Sequence, residues 1–142
     1  MSTFQHSAAT SRTTGISSAS VNNGAGALGS EIDFSSAREL YLNFRLTFSC
    51  ASAPSANAPW YVYLLTDAVG SGTYEDGGAS VQPAGVPNAI INARAVTGSQ
   101  IVEESGVRLK APLKTKILLW NATGQNATSV TLEAWSHSEE SV

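Results

Sequence analysis

Charge, sulfur and long apolar runs are all scarce in this sequence. Charged side chains make up 13% of its 142 residues, against about 25% in an average soluble domain. Ser, Thr, Asn, Ala and Gly take their place, which implies a bland surface suited to being covered by other chains. The net charge of −3 leaves no basic footprint for nucleic acid or for an anionic membrane surface. A single cysteine, Cys50, rules out an internal disulfide framework. No apolar run approaches the ~18 residues of a membrane-crossing helix. The opening STFQHSAATSRTT lacks the apolar centre of a signal peptide. The chain is therefore expected to be made and folded in the cytoplasm. Its two histidines, His6 and His137, lie near opposite ends in polar surroundings. Neither context supplies the pocket a nucleophilic triad requires, and two His with one Cys are too few for a zinc site. No enzyme activity, no metal and no cofactor are expected.

What is present is alternation. Leu40, Leu42, Phe44, Leu46, Phe48 and Cys50 take every second place, and Tyr41, Asn43, Arg45, Thr47 and Ser49 lie between them. Side chains alternate across a strand, so this stretch has one apolar and one polar face. At a rise of ~3.4 Å per residue it reaches ~37 Å, long for a small domain. A helix would scatter the apolar groups around its circumference. The stretch therefore predicts antiparallel sheet with one face on a core, and it places Cys50 in that core as a small hydrophobe.

The rest of the chain fits the same class. Residues 1–14 are polar apart from Phe4 and predict a flexible N-terminal arm, either free or laid on a neighbouring chain. Residues 16–21 and 32–34 predict short strands, separated by the turn residues Asn22-Asn23-Gly24 and a small-residue loop over 25–29. Residues 60–65, WYVYLL, are apolar on both faces and predict an interior strand buried on one side and flanked or partly covered on the other. Residues 66–87 form a long Gly-rich stretch without periodicity, a length often functional in a compact domain. Strands are expected over 88–96 and 100–109, the latter bending at Gly106. Residues 115–121 and 129–135 predict a hairpin with a long loop, and the chain ends in a polar tail over 137–142. The fold class is all-β: an antiparallel β-sandwich, jelly-roll-like, of seven to eight strands over 15–136. At this length the fold buries roughly 68–70% of its unfolded surface and needs no metal or disulfide.

Several residue groups invite chemistry. Asp67, Glu75 and Asp76 share the long loop, but the alternating carboxylates of a calcium loop are missing. Gly70, Gly72, Gly77 and Gly78 lack the Gly-Lys-Ser/Thr that completes a phosphate loop. Glu103 and Glu104 are neighbours on a strand, point to opposite faces and cannot work as a pair. Lys114 and Lys116 share a face, either solvated or set against an acidic partner. Trp60, Tyr61, Tyr63, Trp120 and Trp135 suit a core, an interface or a sugar platform. Only one of Trp60 and Tyr61 can enter the core. Asn121-Ala122-Thr123 and Asn126-Ala127-Thr128 have the spacing of glycosylation sequons but read as turn residues.

YVYLLTDAVGSGTYEDGGASVQPAG at 61–85 and INARAVTGSQIVEESGVRLKAPLKTKILLWNATGQ at 91–125 give the order of segments. A strand ends in a Gly/Tyr/Asp-rich loop. An Arg-Ala-Val-Thr turn follows, then a Pro-containing connection and a strand ending in Asn-x-x-Gly-Gln. This order resembles small jelly-roll virion proteins of tailed bacteriophages. The opening TTGISSAS and the Glu-rich tail are similar too, so the resemblance covers roughly residues 13–142. It implies a capsid decoration, or cement, protein on the virion surface, assembled in the bacterial cytoplasm. Its partners would be the major capsid protein and copies of itself, as a dimer or trimer. Phe4, Arg38 and Tyr74 are the expected interface anchors, because aromatic and Arg residues dominate interface energy. A tail or head–tail accessory protein, a virion-displayed glycan-binding module and an unrelated intracellular sandwich remain alternatives.

Overall fold

The computed structural model describes residues 4–6, 10–13, 15–34, 41–67, 69–109 and 113–141, with side chains over 15–138 of these. Twelve strands are present among them: β1 (Phe4–His6), β2 (Thr10–Thr13), β3 (Ala19–Val21), β4 (Gly26–Leu28), β5 (Ile32–Asp33), β6 (Tyr41–Cys50), β7 (Pro59–Thr66), β8 (Ala89–Asn92), β9 (Gly98–Arg108), β10 (Lys114–Asn121), β11 (Ala127–His137) and β12 (Glu139–Ser141). No helix occurs among the described residues.

The strands make two antiparallel five-stranded sheets and one two-stranded ribbon. The first sheet runs β2-β11-β6-β9, with β3 also on β11; the second runs β4-β10-β7-β8, with β5 also on β10. Taking β2 with β3, and β4 with β5, as two interrupted strands leaves eight in chain order. The first sheet is then first-eighth-third-sixth and the second is second-seventh-fourth-fifth. That is the strand order of a jelly roll, two interleaved Greek keys. The sandwich expected from alternation is present.

The core lies between the sheets. On β6, Leu42, Phe44, Leu46, Phe48 and Cys50 are buried while Arg45 faces water, as the alternation predicts. Trp60, Val62 and Leu64 of β7 and Ile117 and Leu119 of β10 meet them from the second sheet. Trp60 packs on Phe48 with ring centroids 5.2 Å apart. Burial also pushes the Cys50 thiol pKa up, as expected of a thiol serving as a core hydrophobe.

Four expectations are corrected. β10 and β11 are not a hairpin: they lie in different sheets, and residues 122–126 carry the chain across. Each strand buries one face in the shared core, and pairing them to each other would have removed one sheet's centre. Residues 10–13, set apart as an arm, instead form β2 on the edge of β11, with Arg12 opposite Ala134. Backbone hydrogen bonds hold such a strand without any apolar pattern to announce it. At the other end β11 continues through His137, and β12 in the expected tail pairs with β1, Phe4 opposite Ser141. The strand expected over 88–96 is only β8, because a turn held by Gln100 begins after it. Gln100, buried, accepts from Arg94 N at 2.8 Å and donates to Arg94 O and Val96 O.

The turn at 121–126 is a closed polar unit. Asn121 is fully buried; its Nδ2 donates to Val21 O at 3.0 Å and Gln125 O at 2.8 Å. Its Oδ1 accepts from Thr123 N at 3.0 Å and Thr123 Oγ1 at 2.7 Å. Gly24 N donates to Asn121 O, which locks the Asn22-Asn23-Gly24 turn against it. Asn121 is thus a structural hub, and its amide is not free to carry a glycan.

Candidate functional site

β7 and β10 are apolar on their outer faces as well as their inner ones. Tyr61 stands opposite Trp120, Tyr63 opposite Leu118, and Leu65 opposite Lys116. Water would contact this face in a plain sandwich. Instead Tyr63, Leu65, Leu118 and Trp120 are buried and form a second small core, with Tyr61, Tyr74 and Ala122 packed on it. The cover is the chain's own loop over 67–88, which crosses the outer face as a strap.

Local chemistry explains how the strap is held. Asp67, buried at its start, accepts Ser71 N at 3.1 Å and Gly72 N at 2.6 Å. The Gly72 bond foremost holds its carboxyl below the ordinary range, against the opposing pull of burial. Its oxygens therefore close a turn. The Asp67, Glu75 and Asp76 set assembles no metal cage, and no group of three or more His, Cys, Asp or Glu is gathered among the described residues. Gly70 and Gly72 carry positive φ of 67° and 82°, which lets the backbone wrap that carboxylate.

Further along, the Tyr74 hydroxyl donates to Glu31 Oε2. Lys116 Nζ lies 4.6 Å from the Tyr74 ring centroid, and Lys114 pairs with Glu31 at 3.6 Å. Lys114 and Lys116 do share a face, and they serve this cluster. Burial first, and then the Glu31 hydrogen bond and charge, push the Tyr74 pKa up to about 12. A Cβ on Gly77 would sit 3.0 Å from Pro83 Cγ and 3.1 Å from both Leu118 Cδ2 and Leu65 Cδ1, so the strap rests directly on the sheet there. Gly26 N donates to Ala79 O at 2.9 Å, tying the strap to β4, and Gln82 donates to the Tyr63 hydroxyl at 2.9 Å. A cavity of about 230 Å³ remains between the strap and β7, lined by Tyr63, Leu65, Asp76, Pro83 and Asn88 among others.

The strap's outer side is different. Val69 is 83% exposed and Val86 89%, and Val81 and Ile90 of the adjoining β8 are exposed too. Residues 77–93 contain no charged side chain. An open groove lies beside them, bounded by Tyr61, Tyr63, Gln82, Val86, Pro87 and Ile90.

Of the three expected anchors, Tyr74 alone has a described side chain, and it is turned into the strap's own attachment. Phe4 lies on β1 with its side chain outside the described residues, and Arg38 is outside them altogether. Sequence reasoning passed over Val69, Val81, Val86 and Ile90. The charge-free run around three of them was the signal that could have found them.

The opposite outer face, on the first sheet, is polar. Arg45 pairs with Glu103 at 2.7 Å and covers Trp135, its guanidinium carbon 5.6 Å from the ring centroid. Tyr41 stacks on His137, which bonds Asn43 at 3.0 Å. A sugar platform needs open, coplanar aromatics. Trp60 is inside the core, Tyr61 and Tyr63 meet edge to face at 68°, and Trp135 lies beneath Arg45. Comparison with protein-family models, curated proteins and solved structures gives no match for this chain.

Proposed function

We propose that this chain is a non-enzymatic structural protein of a bacteriophage particle, a decoration protein that binds and stabilises the head shell. The observation that carries the reading is the strap. Its inner side is fastened by hydrogen bonds and packing, and its outer side presents Val69, Val81 and Val86 to solvent. Apolar side chains held outward on a fastened support suit docking on another protein, because the support's ordering cost is already met before binding. The jelly-roll order and the low charge fit the same role. So does the resemblance of the turns at 61–85 and 91–125 to small virion proteins. Many copies on one shell would act together, so each contact can be weak. In this reading the chain is assembled in the bacterial cytoplasm and sits on the capsid surface.

The test is the copy number of the chain per purified particle, by quantitative mass spectrometry against the major shell protein. A simple ratio to the shell protein supports decoration. A number set by cyclic symmetry, about 3, 6 or 12, moves the protein to the tail or the head–tail junction. Absence from the particle overturns the reading. Val69→Asp with Val81→Asp should abolish particle binding while leaving the melting temperature within about 2 °C of wild type, since exposed substitutions change stability little.

A further inference from the structure

Asparagine loses its side-chain amide most readily where glycine follows it, because glycine has no Cβ to obstruct attack by its nitrogen. Asn23-Gly24 is the one such pair in the sequence; every other Asn precedes a residue that carries a Cβ. Asn23 and Gly24 are both exposed. A Cβ built on Gly24 would meet nothing within 4 Å, so water reaches the pair. Yet the reacting groups are held in place by the 121–126 turn. Gly24 N donates to Asn121 O at 2.8 Å, and Asn23 Oδ1 accepts from Gly124 N at 2.9 Å. Asn23 N donates to Asn126 Oδ1 at 2.9 Å.

We propose that Asn23 is a self-modification site that the 121–126 turn holds closed, so that it deamidates only when this lock opens. The backbone carries the argument. Ala25 N donates to Asn22 O at 3.1 Å, and Gly24 has a φ of 73° while Asn23 keeps a negative φ. That is a type II turn, with ψ near +120° at its first central residue, here Asn23. Deamidation first joins Gly24 N to Asn23 Cγ in a succinimide ring, so the Asn23 Cβ must come into line with Gly24 N. In an L-residue this takes a rotation of about 120° about the Asn23 Cα–C bond from the type II value. The rotation swings Gly24 N away from Asn121 O and breaks the bond between Ala25 and Asn22. The lock and the reaction therefore exclude one another.

Once the turn opens, solvent base takes the Gly24 N–H proton and the nitrogen attacks Asn23 Cγ. The new N–Cγ bond forms, the Cγ–Nδ2 bond breaks, and Nδ2 leaves as ammonia with a proton from water. Water then opens the succinimide at either carbonyl. Opening at Cγ gives Asp, whose carboxylate still accepts from Gly124 N. Opening at the main-chain carbonyl gives isoaspartate, which routes the main chain through Cβ and adds a methylene to it. Gly24 N then no longer meets Asn121 O in the original turn, so the modified chain stays unlocked. This inference goes beyond the decoration reading and stands or falls apart from it.

The experiment incubates the full chain in mildly alkaline buffer, folded and in guanidinium chloride, and then digests it with trypsin. Cleavage after Arg12 and Arg38 releases residues 13–38, in which tandem mass spectrometry separates Asn22 from Asn23. Asn23 should convert at least about tenfold more slowly in the folded chain, because the reactive form is reached only through local opening. Asn126→Ala removes the acceptor of Asn23 N at an exposed position. It should raise the folded-state rate severalfold with a melting temperature within about 2 °C of wild type, since exposed substitutions change stability little. The converted peptide should accept a labelled methyl group from an isoaspartyl methyltransferase. A folded chain that converts as fast as the denatured one overturns the proposal. So does an Asn126→Ala rate equal to wild type, conversion centred on Asn22, or a converted peptide that takes no label.

Discussion

The turn at 121–126 and the strap at 67–88 both border β7 and β10, and they use their side chains in opposite ways. In the turn, one buried Asn121 makes four hydrogen bonds and locks the 22–24 turn beside it. In the strap, polar groups at Asp67, Tyr74 and Gln82 fasten the underside, and valines face outward. One connection is complete within the molecule. The other leaves apolar area on a support that is already ordered. The proposed docking surface is recognised less by what is conspicuous in sequence than by what remains exposed after folding.

Predictions from this contrast run from large effects to small. Replacing the hub should be the most damaging change. Asn121→Ala takes the side-chain donor from the Val21 carbonyl and the acceptor from the Thr123 N–H, while Thr123 Oγ1 and Gln125 O keep each other at 3.2 Å, at about 1–3 kcal/mol for each buried group left unpaired. A loss of about 3 kcal/mol or more is expected in denaturant unfolding, with the midpoint shifted and the slope unchanged. A loss below about 1 kcal/mol would mean that the turn is not the closed unit described.

The strap should respond more gently. Gly77→Ala puts a Cβ about 3.0–3.1 Å from Pro83, Leu118 and Leu65, and overpacking of this kind costs about 1–3 kcal/mol. Hydrogen exchange should rise first over 67–88 and leave β6 and β11 protected. Equal loosening of both sheets would show that the second core and the main core are one cooperative unit.

The smallest effect belongs to Tyr74. Tyr74→Phe removes the bond to Glu31 at about 1 kcal/mol. Its pKa is raised from 10.0 to about 12, so the folded state favours the protonated phenol. That contribution is whole below pH 10 and is lost as pH rises toward about 12. Wild type and variant should therefore converge in stability across that interval. Parallel curves would remove Tyr74 as the strap's alkaline weak point.

Much of the architecture was legible in sequence. The strict alternation over 41–50 gave β6 its core face, and the double-sided apolar run over 60–65 marked β7 as an interior strand with at least partial cover on its second side. Gly106 marked the bulge in β9, and Trp60 and Tyr61 divided between core and outer face as neighbours on a strand must. The hairpin expected of β10 and β11 failed because adjacency in sequence favours pairing only until each strand's core face has to be shared between two sheets. β2 was invisible because a polar edge strand is bound through its backbone. Tyr74 stood out as an aromatic in a loop, a pattern that fits an interface anchor as well as the strap's own fastening.

Composition and periodicity determined by themselves that this chain is all-β, with a buried cysteine and a surface poor in charge. Those are local properties, set by side-chain type and by the two-residue repeat of a strand. Tertiary structure alone decided that the order is a jelly roll and that residues 67–88 cover the protein's own second sheet. These depend on which strands become neighbours, and that is fixed by the shared burial of both sheets rather than by any segment of the chain.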